Sequence, residues 1–124
     1  MKDITTREDI ELLMKIFYKK LLDDNSISYV FTEVARINIE THIPVITDFW
    51  ESILLHKNVY HNNTMKIHMD LNVKSPLSSQ LFNIWLSHFN NTLDELFNGK
   101  VAELARQRAL SIATVMQIKI AQQP

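Results

Sequence analysis

The chain of 124 residues contains no cysteine and only one glycine, Gly99. The lack of cysteine excludes disulfides, thiolate metal ligands and cysteine nucleophiles. Phosphate-binding loops need backbone without a Cβ close to the phosphate, so a single glycine disfavours nucleotide-binding motifs. No basic stripe is visible in a chain with a net charge of −1. The charge pattern therefore gives no support for binding to nucleic acid or to an anionic membrane surface.

Long apolar runs are also missing from the sequence. No stretch approaches the ~20 apolar residues that span a bilayer, and the first eight residues contain no signal-peptide core. We therefore expect a soluble, cytoplasmic protein without a membrane partner. The length fits one domain over residues 1–124, and 46% hydrophobic residues are enough to form its core.

Apolar residues recur with the period of an α-helix in four segments, and no alternating strand pattern competes with them. The sequence therefore predicts an all-α fold. A capping box of Thr5 and Glu8 is predicted to open the first helix. The predicted helices cover about residues 6–22, 40–56, 79–97 and 100–121, with one or two brief turns in 27–39 and a loop in 57–64.

Pro44 constrains the second helix, because proline is tolerated in the first turn but removes a hydrogen bond further along. We therefore expect this helix to start between Asn38 and Thr41. Its inward positions are predicted to be His42, Ile46, Phe49 and Ile53, with Trp50 and Leu54 broadening the stripe. Those of the last helix are predicted to be Val101, Leu104, Ala105, Ala109, Ile112, Val115 and Met116.

The candidate site consists of aromatic and histidine side chains at inward positions. Tyr18 and Trp85 each place a hydrogen-bond donor on an apolar helical face, and such donors need a partner when buried. His68, in the segment 65–71, is suited to be a single axial ligand to a flat metal cofactor. The side chains that can line the pocket above it are Phe17, Tyr18, Phe31, His42, Phe49, Trp50 and Trp85. Aromatic residues at helical spacing are more often ordinary core, so that alternative stays open.

The chain resembles the truncated haemoglobins, the two-over-two helical sandwich form of the globin fold, and specifically the third group of that family. The segments that resemble the family are Ile16-Phe17-Tyr18, Phe31, His42 to Trp50, Lys66 to Leu71 and Ile84-Trp85-Leu86. The spacings from Tyr18 to Phe31 and from His42 to Trp50 also agree. The single glycine fits as well, because the other groups have glycine pairs beside their helices and the third group lacks them.

The resemblance implies that haem b (iron protoporphyrin IX) is the cofactor, with His68 as the proximal ligand of a five-coordinate iron. Tyr18 and Trp85 would be distal hydrogen-bond donors, and His42 a distal histidine that either swings as a gate, which is favoured, or binds iron directly. The further haem contacts expected are Phe17, Phe31, Ile46, Phe49, Trp50, Leu71 and Phe82. Arg36, Lys57 and Lys66 are candidates for holding the haem propionates, whereas His56, His61 and His88 are assigned to surface or structural roles.

The implied ligands are O₂, CO and NO. Two distal donors would hold O₂ strongly, which favours redox or NO chemistry over O₂ delivery and implies an electron-donating reductase as partner. We also expect an NO dioxygenase or peroxidase-like activity, a bacterial source, and a monomer or weak homo-oligomer. The alternatives are a haem-free helical interaction module and a haem-based sensor or transfer protein.

Overall fold

The computed structural model describes residues 1–56 and 76–122. Its α-helices are α1 (Arg7–Asp23), α2 (Ile39–Leu54), α3 (Ser79–Leu96) and α4 (Lys100–Ala121), and a π-helix (Val30–Val34) precedes α2. The described ranges contain no β-strand, which confirms the all-α prediction. The predicted loop at 57–64 and the segment with His68 and Leu71 lie outside the described residues.

The helices are arranged as two packed pairs. α1 contacts α2 and α3 contacts α4, and the pairs meet through contacts between α1 and α3 and between α2 and α4. This arrangement is the predicted two-over-two sandwich. The buried apolar residues of α1 recur with the helical period, namely Ile10, Leu13, Met14, Phe17, Tyr18 and Leu21. No helix in the described ranges is long and apolar enough to cross a membrane.

The capping box of α1 consists of Thr6 and Asp9, so the predicted pair of Thr5 and Glu8 is wrong by one residue. Asp9 is buried whereas Glu8 is exposed. The Asp9 carboxylate accepts hydrogen bonds from the backbone N–H groups of Thr5 at 2.9 Å and Thr6 at 3.2 Å, and from Lys2 Nζ at 2.9 Å. Burial alone would raise the pKa of Asp9, but these hydrogen bonds outweigh it and lower the pKa below its usual value.

Pro44 lies inside α2, beyond its first turn, although the helix begins within the predicted range. The side chain of Asn38 caps the helix by accepting a hydrogen bond from Glu40 N at 3.0 Å. The prediction that Pro44 must occupy the first turn is therefore wrong. Proline leaves the carbonyl of Glu40 without its helical donor, and Glu40 is an exposed residue, so water can satisfy that carbonyl.

The buried face of α2 includes Trp50 and Leu54 of the predicted stripe but not its other four residues. Its buried residues are Ile43, Thr47, Trp50, Glu51 and Leu54, whereas His42, Ile46, Phe49 and Ile53 are half-buried.

α3 is capped by Ser78, whose Oγ accepts a hydrogen bond from Leu81 N at 3.3 Å. The bounds of α4 agree with the prediction, but Val115 is 45% exposed and its predicted inward position is wrong. The buried stripe of α4 consists of Ala102, Ala105, Ala109, Ala113 and Met116. Val115 is adjacent to Met116 in sequence and so lies about 100° away from it around the helix.

Asp3 caps the N-terminus of α4 across nearly the whole sequence. Its carboxylate oxygens accept hydrogen bonds from Val101 N and Ala102 N, each at 2.9 Å. Gly99 before the helix has a φ of +150°, and a Cβ there would overlap the Asp3 carboxyl group. Only glycine therefore fits this approach of the two segments without strain.

Asp24, at the end of α1, contacts α3 through His88, whose Nε2 lies 2.7 Å from Asp24 Oδ2. Hydrogen bonds from the Ser26 hydroxyl, from His88 and from Ser26 N lower the pKa of Asp24 from 3.8 to about 2. His88 thus has the structural role that was expected.

We predict that Asp24 makes stability depend on pH in the acid range. A carboxyl whose pKa is lower in the folded state is protonated first in the unfolded chain as the pH falls. Its contribution to stability is therefore complete above the pKa of the unfolded state, and it is lost as the pH falls towards the pKa of the folded state. Asp24→Asn should therefore flatten the decline in urea midpoint measured from about pH 5 to about pH 2. Parallel curves for the parent and Asp24→Asn would contradict this role.

Candidate functional site

Two adjacent side chains of α1, Phe17 and Tyr18, connect the neighbouring helices. Successive helical residues point about 100° apart, so the pair reaches in two directions. The Phe17 ring centroid lies 5.5 Å from that of Trp85 and 5.2 Å from that of Phe89, both in α3. The Tyr18 ring makes an edge contact with Phe31 at 5.6 Å. The predicted site residues of α1 and α3 thus form one contact network.

Tyr18 and His42 form a polar pair within these rings. The Tyr18 hydroxyl lies 3.0 Å from His42 Nε2, and either group can donate, depending on the imidazole tautomer. Tyr18 is buried, with 6% exposure, while His42 is half-buried. Burial raises the pKa of Tyr18 well above its usual value. The phenol therefore stays protonated at neutral pH and remains a hydrogen-bond donor.

The π-helix positions Phe31 against Tyr18. Ala35 N donates to Val30 O at 2.8 Å, and Ile37 N donates to Phe31 O at 3.0 Å. Such wide turns occur often at functional sites because they redirect individual side chains. The sequence predicted brief helical turns in this segment but contained no signal for the wider hydrogen-bond pattern.

Three rings from α2 and α3 form a nearly parallel stack. Phe89 lies between Trp50, at a centroid distance of 5.0 Å and an angle of 25°, and Trp85, at 5.7 Å and 13°. Phe49 meets Trp50 edge-on at 5.5 Å. Trp50 and Phe89 are fully buried core, whereas Trp85 is half-buried. Phe89 was not predicted as a site residue.

A half-buried apolar row lies beside this fully buried core. Its members are Ile46, Phe49 and Ile53 of α2, and Leu81, Ile84 and Trp85 of α3, all packed against the core cluster. His42 is on the same face of α2. Apolar side chains together with the Tyr18–His42 pair fit a flat, largely apolar cofactor whose ligand needs a hydrogen-bond donor.

A scan against models of known protein families finds no match for the chain. A group 3 truncated haemoglobin of Campylobacter jejuni is 32% identical over 114 residues, which cover 90% of this chain and 87% of the relative. The chain belongs to the group III truncated haemoglobins. A crystal structure of the group III truncated haemoglobin from Campylobacter jejuni covers 97% of this chain and 95% of its own, with a TM-score of 0.85 and 30% identity.

In this truncated haemoglobin, the predicted site residues Phe17, Tyr18, Phe31, His42 and Trp85 are linked by ring contacts or the hydrogen bond described above. Phe49 and Trp50 join the same network through Phe89.

Phe82 lies instead in a second cluster with Ala113 and Met116. Of the proposed propionate partners, Arg36 is exposed. His68, Leu71, Lys57 and Lys66 lie outside the described residues. Their roles therefore stay predictions.

A charged contact that was not predicted joins α1 to α2. Arg7 Nη1 lies 2.7 Å from Asp48 Oδ1 and 2.9 Å from Glu51 Oε1. Glu51 follows Thr47 by one helical turn on the buried face of α2, and a carboxylate at such a position needs a cation. The spacing of one helical turn from Thr47 to Glu51 was the sequence signal from which this contact could have been predicted. Within the described ranges, no group of three or more metal-binding side chains occurs.

We predict that removing Phe17 disrupts the ring network of this truncated haemoglobin. Phe17→Ala should lower the free energy of unfolding by about 3–5 kcal/mol, because it empties a fully buried ring site. It should also reduce the near-ultraviolet circular dichroism of the native protein. Leu93→Ala, at a fully buried residue that has no ring, is the matched control: it should cost stability but retain the spectrum. Equal spectral loss in both variants would contradict a distinct role for Phe17.

Proposed function

We propose that residues 1–124 form one cytoplasmic truncated-globin domain that binds haem b, with His68 as the protein ligand of the iron. The observation that supports this proposal most is the part-buried Tyr18–His42 hydrogen bond, together with the half-buried apolar row. When bound, haem supplies an iron atom that can take up O₂, CO or NO. The other haem contacts proposed are Phe17, Phe31, Ile46, Phe49, Trp50, Leu71 and Phe82.

Tyr18 is the main donor in this proposal. A diatomic ligand that gains partial negative charge is stabilised by a protonated phenol, and burial keeps Tyr18 protonated. The indole N–H of Trp85, on the half-buried part of α3, is proposed as the second donor. The surrounding apolar side chains limit competition from water and so strengthen both hydrogen bonds.

The tautomer of His42 determines whether the Tyr18 hydroxyl proton is available to a ligand. When His42 Nε2–H donates to the Tyr18 oxygen, the phenolic O–H can turn to a ligand. When Tyr18 donates to His42, that proton is already used. The contact with Tyr18 supports the gate alternative, because it holds the imidazole at a half-buried position from which it can swing outward.

We further propose redox or reactive-species chemistry, such as NO oxidation or peroxide handling, with electrons from a reductase. Each charge-assisted hydrogen bond is worth about 1.5–3 kcal/mol, so two donors would slow O₂ release by roughly two to four decades. Such slow release suits a reaction of the ligand better than its delivery.

The absorption spectrum tests the proposed haem ligand. The parent, supplied with haem, reduced and exposed to CO, should show a sharp haem band that shifts with CO. His68→Asn should lose or alter this band. His56→Asn is the matched control and should retain it, because His56 is exposed and asparagine tolerates its φ of 58°. A parent without a defined haem spectrum would exclude the proposed function and leave the haem-free interaction module as the alternative.

We predict that Tyr18→Phe raises the O₂ dissociation rate by at least about tenfold, because it removes a hydrogen bond of more than about 1.4 kcal/mol. Tyr29→Phe, a change at a half-buried tyrosine, should leave the rate unchanged. Stopped-flow mixing with CO measures both rates. An unchanged rate in Tyr18→Phe would exclude Tyr18 as the donor.

A further inference from the structure

The arginine that begins α1 contacts α2 at three points. Arg7 Nη1 lies 2.7 Å from Asp48 Oδ1 and 2.9 Å from Glu51 Oε1. The other terminal nitrogen, Nη2, lies 3.5 Å from the carbonyl oxygen of Pro44. Positions 44, 48 and 51 are separated by about one helical turn each, so they lie on one face of α2. The guanidinium group therefore spans two turns of this helix, and the proposed function assigns no role to it.

Pro44 weakens α2 at the point that Arg7 spans. Because proline has no N–H, the carbonyl of Glu40 lacks the hydrogen bond that would tie the first turn of α2 to the next. His42 lies before Pro44, in the part of the helix that is less firmly tied. Arg7 contacts the carbonyl of Pro44 as well as two carboxylates further along. It therefore braces α2 across the position where a hydrogen bond is missing.

The hydrogen bond between Tyr18 and His42 joins the same two helices at a second point. Tyr18 follows Arg7 by about three helical turns, or about 16 Å along α1. Since α2 meets Arg7 in its second half and Tyr18 near its start, the two helices run antiparallel. Apolar packing between helices is non-directional. The two polar contacts are therefore suited to fix how far α2 lies along α1.

We propose that Arg7 is a positioning residue for the Tyr18–His42 pair, because it braces α2 across Pro44 and so keeps His42 at hydrogen-bond distance from the Tyr18 hydroxyl. This inference rests on the proposed function, in which that hydroxyl donates to the haem ligand. Glu51 makes the brace more than a surface ion pair. It is 9% exposed, and a buried carboxylate that loses its cation must move to water or take up a proton. Loss of Arg7 therefore displaces α2 itself.

A double-mutant cycle tests whether Arg7 acts through His42. Arg7→Met removes the charge but retains a long side chain, and His42→Leu removes the hydrogen bond to Tyr18. Arg7→Met should change the O₂ dissociation rate at least about threefold, in the same direction as His42→Leu. In the His42→Leu background, the same substitution should change the rate by less than about 1.5-fold. Stopped-flow mixing with CO measures the rates of the parent, the two single variants and the double variant.

Arg106 provides the matched control. It joins α4 to α3 through contacts with Glu103 at 3.4 Å and Asp94 at 2.5 Å. Its side chain is 31% exposed, against 36% for Arg7, so both arginines bridge two carboxylates at similar exposure. Arg106→Met should leave the O₂ dissociation rate unchanged, whatever it costs in stability. A change as large as that of Arg7→Met would assign the effect to general loosening of the fold and overturn the proposal.

The imidazole of His42 gives a second readout that does not depend on ligand kinetics. Its ¹⁵N signals report the tautomer and the hydrogen bond to Tyr18. They are measured in the CO complex or, if no haem binds, in the purified protein. These signals should shift in Arg7→Met and stay in place in Arg106→Met. Unshifted signals in Arg7→Met would overturn the positioning role.

The outcomes separate this inference from the function beneath it. A parent that binds haem and O₂, with additive effects of Arg7→Met and His42→Leu on the rate, overturns the positioning role alone. A parent that binds no haem overturns the proposed function, and the imidazole signals then decide the positioning role. If Arg7→Met does not fold, as judged by circular dichroism, Asp48→Asn takes its place because it leaves Glu51 paired. An unchanged rate and unshifted signals in Asp48→Asn would overturn the proposal.

Discussion

The packing of Phe17 and Tyr18 holds α1 between its two neighbouring helices. Phe17 meets the rings of α3, whereas Tyr18 contacts Phe31 and donates to or accepts from His42 of α2. Because the residues are adjacent on one rigid helix, neither contact can shift without moving the other. The aromatic core and the polar pair are therefore coupled, and the position of the candidate donor depends on hydrophobic packing on the opposite side of α1.

Most of the fold could be predicted from the sequence, because four long segments have an apolar period that only a helix satisfies. The errors occur where a single contact determines the position of a cap or of a helix start. Thr5 and Thr6 are equivalent as caps in sequence, and the burial of Asp9 selects Thr6. Pro44 was expected only in the first turn of a helix, but the carbonyl that loses its helical donor belongs to the exposed residue Glu40, where water can replace that donor. Such choices depend on burial, which periodicity does not resolve to within one residue.

The candidate site was predictable to a smaller extent. Inward positions and the resemblance singled out Tyr18, His42 and Trp85, and the Campylobacter jejuni relative shows the family to which the chain belongs. The contact between Tyr18 and His42 depends on the crossing of α1 over α2, and the ring stack around Phe89 depends on the distance between α2 and α3. Both depend on how the helices pack against one another, and the spacing of residues along one helix does not specify that packing.

The cap that Asp3 provides for α4 has a consequence for the order of folding. During synthesis Asp3 leaves the ribosome well before Val101 and Ala102, so α4 receives its cap from a much earlier part of the chain. The C-terminal helix can reach its final stability only when both ends of the sequence have met. Closing so long a loop has an entropic cost, so N-terminal extensions that draw Asp3 away would weaken a helix that they never touch.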